Sequence, residues 1–250
     1  MSVKTKKVIG GLFGVFLLLM WQVLSMVIGN SFILPSPLAV LQNLRENSGE
    51  IFLVHFPATM QVVVVGAILS IVIGVGFALL MDASTIIAGA VYPILTVTQT
   101  IPVMCLAPVL VLWLGYTMKM RVLVVVLANF FSVTVDMYDG LQSTDEEKSR
   151  LLSSFHAKRW QQLVMLRLPS AMPHFFSALH VVIVWSVVGA AVAEWLGASR
   201  GLGTYSRYCL SGLDAAGLIA PLLVLTVVAL VLNKAVKLIE YRVLKWRDER

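Results

Sequence analysis

Long apolar runs alternate with short polar breaks along the whole chain, and this rhythm predicts membrane spans rather than a soluble core. A span needs about 20 apolar residues. Six stretches meet that length, at about 8–28, 57–81, 86–112, 121–139, 173–194 and 215–239. One long polar island interrupts them, Thr144 to Pro173, between the fourth and fifth spans. Thr144 followed by Glu147 fits a capping box, with acidic residues at the positive end of the helix dipole. A second short helix is expected from about Arg159 to Leu168, stopped at Pro169 because proline lacks the N–H a helix needs. A bent helical pair carrying an exposed Trp160 predicts a docking element; a solvated connector is the plainer alternative.

The first outer loop, Leu34-Pro35-Ser36-Pro37, precedes apolar residues Leu38, Val40, Leu41 and Leu44 at helical spacing. Ser36 is placed as an N-cap and Pro37 at the first helical position, so an interfacial helix is expected. The second span carries Gly66, Gly74 and Gly76, small residues that let helices approach closely in lipid. In the third span, Thr96, Thr98, Gln99 and Thr100 precede Pro102 and Pro108. Broken helix at membrane depth is tolerated where it is buried in protein or lines a cavity. Thr96, Gln99 and Pro102 are therefore candidates for lining a translocation pathway, with a kinked packing helix as the alternative. Asn129 in the fourth span and Glu194 at the end of the fifth join them as polar groups at membrane depth.

Composition strengthens the membrane reading. The chain has 250 residues, is 59% hydrophobic and only 13% charged, against about a quarter charged in soluble domains. A single transmembrane domain spanning 1–250 is expected, with no soluble domain. The net charge of +6 does not point to nucleic acid, because the cations sit in loops between apolar runs. With an inside N-terminus and alternating spans, Arg45, Lys119, Arg121, Arg200 and Arg207 face outside. The other 14 of the 19 Lys and Arg face inside. This bias predicts both termini and the polar island on the cytoplasmic side, with Tyr241 to Arg247 as an interfacial anchor. The N-terminal run is too long for a cleaved signal peptide.

Candidate chemistry is sparse. Cys105 and Cys209 lie in or beside apolar runs without metal spacing and read as small core residues. His174 and His180 are six apart and share no helix face, so no metal site is expected. Gly197 to Gly203 lacks the phosphate-loop pattern. Without a P-loop or a nucleophile–base pair, no cofactor and no catalysis are expected. An integral-membrane enzyme would need a convergent polar site, which the 144–173 loop does not supply.

The polar island resembles the cytoplasmic "EAA" loop of bacterial ABC importer permeases, here about 140–172. That pattern runs E-A-A-x-x-x-G and ends in L-P. Ala157, Arg159, Trp160, Gln161, Leu168, Pro169, Ala171 and Pro173 carry its tail. Arg150, Leu151 and Leu152 stand at its Glu-Ala-Ala, and His156 stands at its Gly. "LPSPLAVL" and "AEWLGASRGLG" resemble the nitrate, sulfonate and taurine branch, and "LPSAMPHFF" resembles the permeases for the thiamine-precursor pyrimidine. The resemblance implies an all-α polytopic bundle in the bacterial inner membrane, of about six helices with a coupling-helix loop. It implies a homodimer, two copies of a separate ATPase subunit and an external binding protein. The loop would couple through Glu147, Arg150, His156, Ala157, Arg159, Trp160 and Pro169. The implied cargo is a hydroxymethylpyrimidine-type solute, with aliphatic sulfonate, taurine or nitrate as alternatives.

Overall fold

A computed structural model describes residues 3–245. Within it, the side chains of Val3, Lys4, Lys6 and Lys7 lie outside the description, as do Trp246 and Arg247 of the expected anchor. Among the described residues every regular element is helical. We number them α1 (Val3–Ile28), α2 (Pro37–Glu46), α3 (Ser48–Ala83), α4 (Thr85–Thr98), α5 (Val103–Leu114) and α6 (Met118–Gln142). There follow α7 (Glu146–Ser154), α8 (Arg159–Trp195), α9 (Leu202–Ser211) and α10 (Ala215–Val243).

Helices α3, α6 and α8 form the centre. Gly66 and Gly74 of α3 face Val125 and Val133 of α6, eight residues apart on both helices. A Cβ at either glycine would lie 2.5 Å from Val125 Cγ1 or 2.6 Å from Val133 Cβ, so only hydrogen allows this approach. Gly76 meets nothing and is not part of the seam. The matched pairs show that α3 and α6 run parallel. On the other side of α6, Asn129 Nδ2 donates to Val125 O (2.7 Å) and to Ser186 Oγ of α8 (3.3 Å).

Parallel α3 and α6 settle the third crossing. The end of α3 meets the end of α6 and the base of α8, where Asp82 Oδ1 accepts from Gln142 Nε2 (3.1 Å) and Arg167 (2.6 Å). At the opposite end, Arg121 near the start of α6 lies by Arg200, and His55 near the start of α3 lies by Gly201. The chain must therefore cross between Ala83 and Met118, and α4 with α5 makes that crossing as a pair bent by 97°. The break falls at Gln99–Pro102, where Thr100 and Ile101 N–H groups bond Val97 and Thr98 carbonyls in tight turns. Pro102 marks the break; Pro93 and Pro108 lie inside α4 and α5.

One departure from the sequence expectation has a local cause. Pro169 does not end a helix: α8 continues through it and through Pro173 to Trp195. The turn Leu163–Arg167 is a π-turn, closed by Leu168 N–H on Leu163 O five residues back. The same device precedes Pro57, where Phe56 N–H bonds Ile51 O across the π-turn Ile51–His55. In both helices the proline follows at once, at the point where the hydrogen-bond register changes and its missing donor costs least. The expected interfacial helix α2 forms with Ser36 Oγ accepting from Ala39 N–H (3.1 Å). It is tied down, since Val40 is buried and Asn43 Nδ2 donates to Asp214 Oδ2 (3.0 Å).

Candidate functional site: a coupling loop and a membrane cavity

The loop is a helical pair built on a chain of local contacts. Asp145, not Thr144, caps α7: its Oδ1 accepts from Glu147 N–H (2.9 Å), while Thr144 donates to Leu141 O. The acid one residue later is the better acceptor, which leaves the hydroxyl to close the end of α6. The Glu147 backbone N–H and Lys148 hold the Asp145 carboxyl below its usual range. After Phe155, Ala157 N–H bonds Leu152 O and His156 N–H bonds Ser153 O, the paired bonds of a Schellman turn. His156 sits at its left-handed position, with φ 57°. That is the backbone geometry implied by a glycine at this place.

The second arm starts with Lys158 N–H donating to Gln161 Oε1 (2.7 Å). Gln162 then bridges the arms through Ser153 Oγ (3.2 Å) and Ala157 O (3.1 Å). The base is anchored by Arg167 on Asp82, whose side chain is 8% exposed. Arg150 pairs with Glu146 on the outer face of α7 (2.7 Å). Leu151, Phe155 and Trp160 stay exposed around the turn. The loop is thus an apolar tip on a braced polar arm, at one end of the bundle. The Asp82–Arg167–Gln142 anchor was not found from the sequence. Asp82 at the end of an apolar run was its only trace.

The polar groups assigned to the interior divide. Gln99 and Pro102 line a cavity of about 410 Å³ between the broken third crossing, α6 and α8. Thr96 does not line it, and its hydroxyl bonds back to Tyr92 O (3.0 Å). Asn129 is fully buried in the α6–α8 seam and also stays out of the cavity. Ser132 and Trp185 line it and went unnoticed in the sequence. Trp185 was legible as an aromatic in mid-span, away from the interfaces where tryptophan usually gathers.

Glu194 is likewise fully buried rather than facing the cavity. Its Oε2 accepts from Thr59 Oγ1 (3.0 Å) and Gly203 N–H (2.9 Å). Thr59 Oγ1 accepts from Leu202 N–H (2.8 Å), and His55 Nδ1 from Gly201 N–H (3.1 Å). The carboxylate thus holds the start of α9, a helix the sequence reading took for part of a glycine-rich turn. Gly201 has φ 141°, and a Cβ there would fall 2.2 Å from the Glu194 carboxyl carbon. The sequence Glu194 to Gly203 is a folded-back clasp at the end of the bundle away from the loop, its glycines set by the acid they cover.

His180 bonds Asn233 through Nδ1 and Glu240 through Nε2 (2.9 Å), joining α8 to α10. Of the two cysteines, Cys105 is exposed rather than in the core. Among the described residues no three His, Cys, Asp or Glu gather as metal ligands.

A helical membrane bundle with a braced loop at one end and a clasp at the other defines a transport subunit. The chain belongs to the family of binding-protein-dependent transport system inner membrane components, whose model matches residues 70–246. It is an ABC importer permease. It is 38% identical to the formylaminopyrimidine transport permease protein ThiX of Halalkalibacterium halodurans, over 96% of each chain. It is 26% identical to the putative aliphatic sulfonates transport permease protein SsuC of Bacillus subtilis, over 91% of this chain and 83% of that one. Its fold matches a chain of the inward-facing MetNI methionine ABC transporter with a TM-score of 0.65 and 19% identity, covering 74% of this chain and 93% of that one.

Proposed function

We propose that this permease imports a thiamine-precursor pyrimidine, delivered by an external binding protein and driven by ATP hydrolysis on a separate subunit. The observation that carries the coupling half is the helical pair at 146–162, braced at its base and apolar at its tip. Two copies of the ATPase would each seat one loop. A homodimer of this chain would enclose the pathway. Helix α1 offers a surface for that assembly: its described residues are exposed or only partly covered, and among the described residues its side-chain bonds are Trp21 Nε1 to Pro35 O and Ser25 Oγ to Leu34 O. The termini and the loop would be cytoplasmic, a reading the cation bias supports. Closure of the ATPases would draw the loops together and tilt the bundles as rigid bodies.

The pyrimidine cargo rests on the 38% identity to a formylaminopyrimidine permease. The test is uptake of labelled formylaminopyrimidine and of taurine by cells expressing the permease with its ATPase and binding protein. ATP-dependent accumulation of the pyrimidine alone is expected. Taurine uptake without pyrimidine uptake would reassign the cargo. Arg150→Glu tests the loop: it sets a second carboxylate against Glu146 and should lower ATPase co-purification while the membrane subunit stays assembled.

A further inference from the structure

We infer that the cavity beside the broken third crossing is a resting site for a flat heteroaromatic ring, with Trp185 as its stacking platform. The inference rests on the pyrimidine reading above and adds a binding site inside the permease itself. Three observations carry it. First, the cavity holds about 410 Å³, within the size range of small-ligand pockets. Its walls are largely apolar, with Leu127, Val188 and Val192 among them. Second, two polar side chains face it unbonded. Thr96, Thr98 and Thr100 satisfy their hydroxyls on their own backbone at 3.0, 2.6 and 2.7 Å. Among the described residues Gln99 beside them makes no side-chain hydrogen bond, nor does Ser132 midway along α6. Such groups are costly at membrane depth unless water or a ligand meets them. Third, Trp185 stands midway along the membrane part of α8 with 51% of its surface exposed, far from the interfaces that tryptophan favours.

An apolar wall, a large aromatic face and a few convergent hydrogen-bonding groups make up a ring-binding pocket. The indole would stack on the ring face. The Gln99 amide can both donate and accept at a ring edge, as a heterocycle with ring nitrogens and an amino group requires. The Ser132 hydroxyl adds one further partner. An aliphatic sulfonate offers no face for the indole, so the pocket also discriminates between the two cargo classes.

The test compares Trp185→Phe and Trp185→Leu in the full importer, with formylaminopyrimidine as probe. Phenylalanine keeps a stacking face and should hold maximal uptake within about twofold. Leucine keeps apolar bulk only and should lower it about tenfold, the size of one ring-stacking contact. The external concentration for half-maximal uptake should stay unchanged if the binding protein sets it. Gln99→Leu should lower maximal uptake in the same way. Membrane abundance and ATPase co-purification are measured for each variant. Wild-type uptake by Trp185→Leu would overturn the ring site and leave the pyrimidine reading intact. Equal loss in both Trp185 variants, with the assembled complex gone, would make Trp185 a packing residue and also overturn it. Failure of the wild-type importer to take up any pyrimidine would overturn both.

Discussion

Two residues concentrate the chemistry of the fold. His156 occupies a left-handed position at φ 57°, which histidine tolerates at a cost and glycine adopts freely. His156→Gly should leave ATPase binding intact and raise the stability of the purified permease by up to about 1 kcal/mol. His156→Val should lose coupling, because a β-branched residue resists that geometry; substrate-stimulated ATP hydrolysis reads the difference. Glu194 carries a different burden. Replaced by Ala, it would leave the Gly203 N–H without its buried acceptor, at about 1–3 kcal/mol, and Thr59 with only the longer bond to His55 O (3.3 Å). Glu194→Gln keeps an oxygen in the same place and should retain most of the melting temperature, whereas Glu194→Ala should lower it by several degrees. The left-handed turn was legible beforehand because it is local. The role of Glu194 was not, since its partner Thr59 lies 135 residues away in sequence.

At the level of elements, the base of the loop decides how it moves. Asp82 belongs to α3, Gln142 to α6 and Arg167 to α8, so one carboxylate ties three helices to the arm that carries Trp160. Asp82→Ala should weaken this junction by about 2 kcal/mol. ATPase co-purification should fall while the bundle stays folded, and the charge swap Asp82→Arg with Arg167→Asp should recover part of it. Apolar periodicity revealed most of the helices to within a few residues. It missed α9, and it foresaw the helix from Arg159 but not its continuation through Pro169 into the fifth span. A glycine-rich stretch reads as a turn until the acid it folds over is known, and Pro169 reads as a stop until the π-turn before it is seen. Both depend on backbone register, which hydrophobic pattern does not encode.

For the whole molecule, the hydrogen bonds place the loop and the clasp at opposite ends, as the cation count expects of them. Arg121, Arg200 and Arg207 lie at the end that holds the Glu194 clasp, while the loop occupies the other. Cysteine labelling at Ser149 and at Asn47 should report opposite faces of the membrane. Labelling of both from one side would contradict the six-crossing arrangement. That arrangement was legible in the sequence because each crossing except the third is one apolar helix; the third needed the parallel packing of α3 and α6 to resolve it.

The bent third crossing bears on how the protein enters the bilayer during synthesis. With 14 and 12 residues, α4 and α5 reach about 21 and 18 Å, and neither spans a hydrocarbon layer of about 30 Å. The insertion machinery therefore meets two half-length segments with a polar elbow between them. Their neighbours in the finished bundle include α3, already made, and α6, still to come. A nascent chain halted after Gly115 should leave this region only partly integrated and open to protease. A chain extended to Gln142 should protect it, because α6 then supplies the wall against which the elbow closes. The order of synthesis would thus decide when the third crossing becomes a crossing at all.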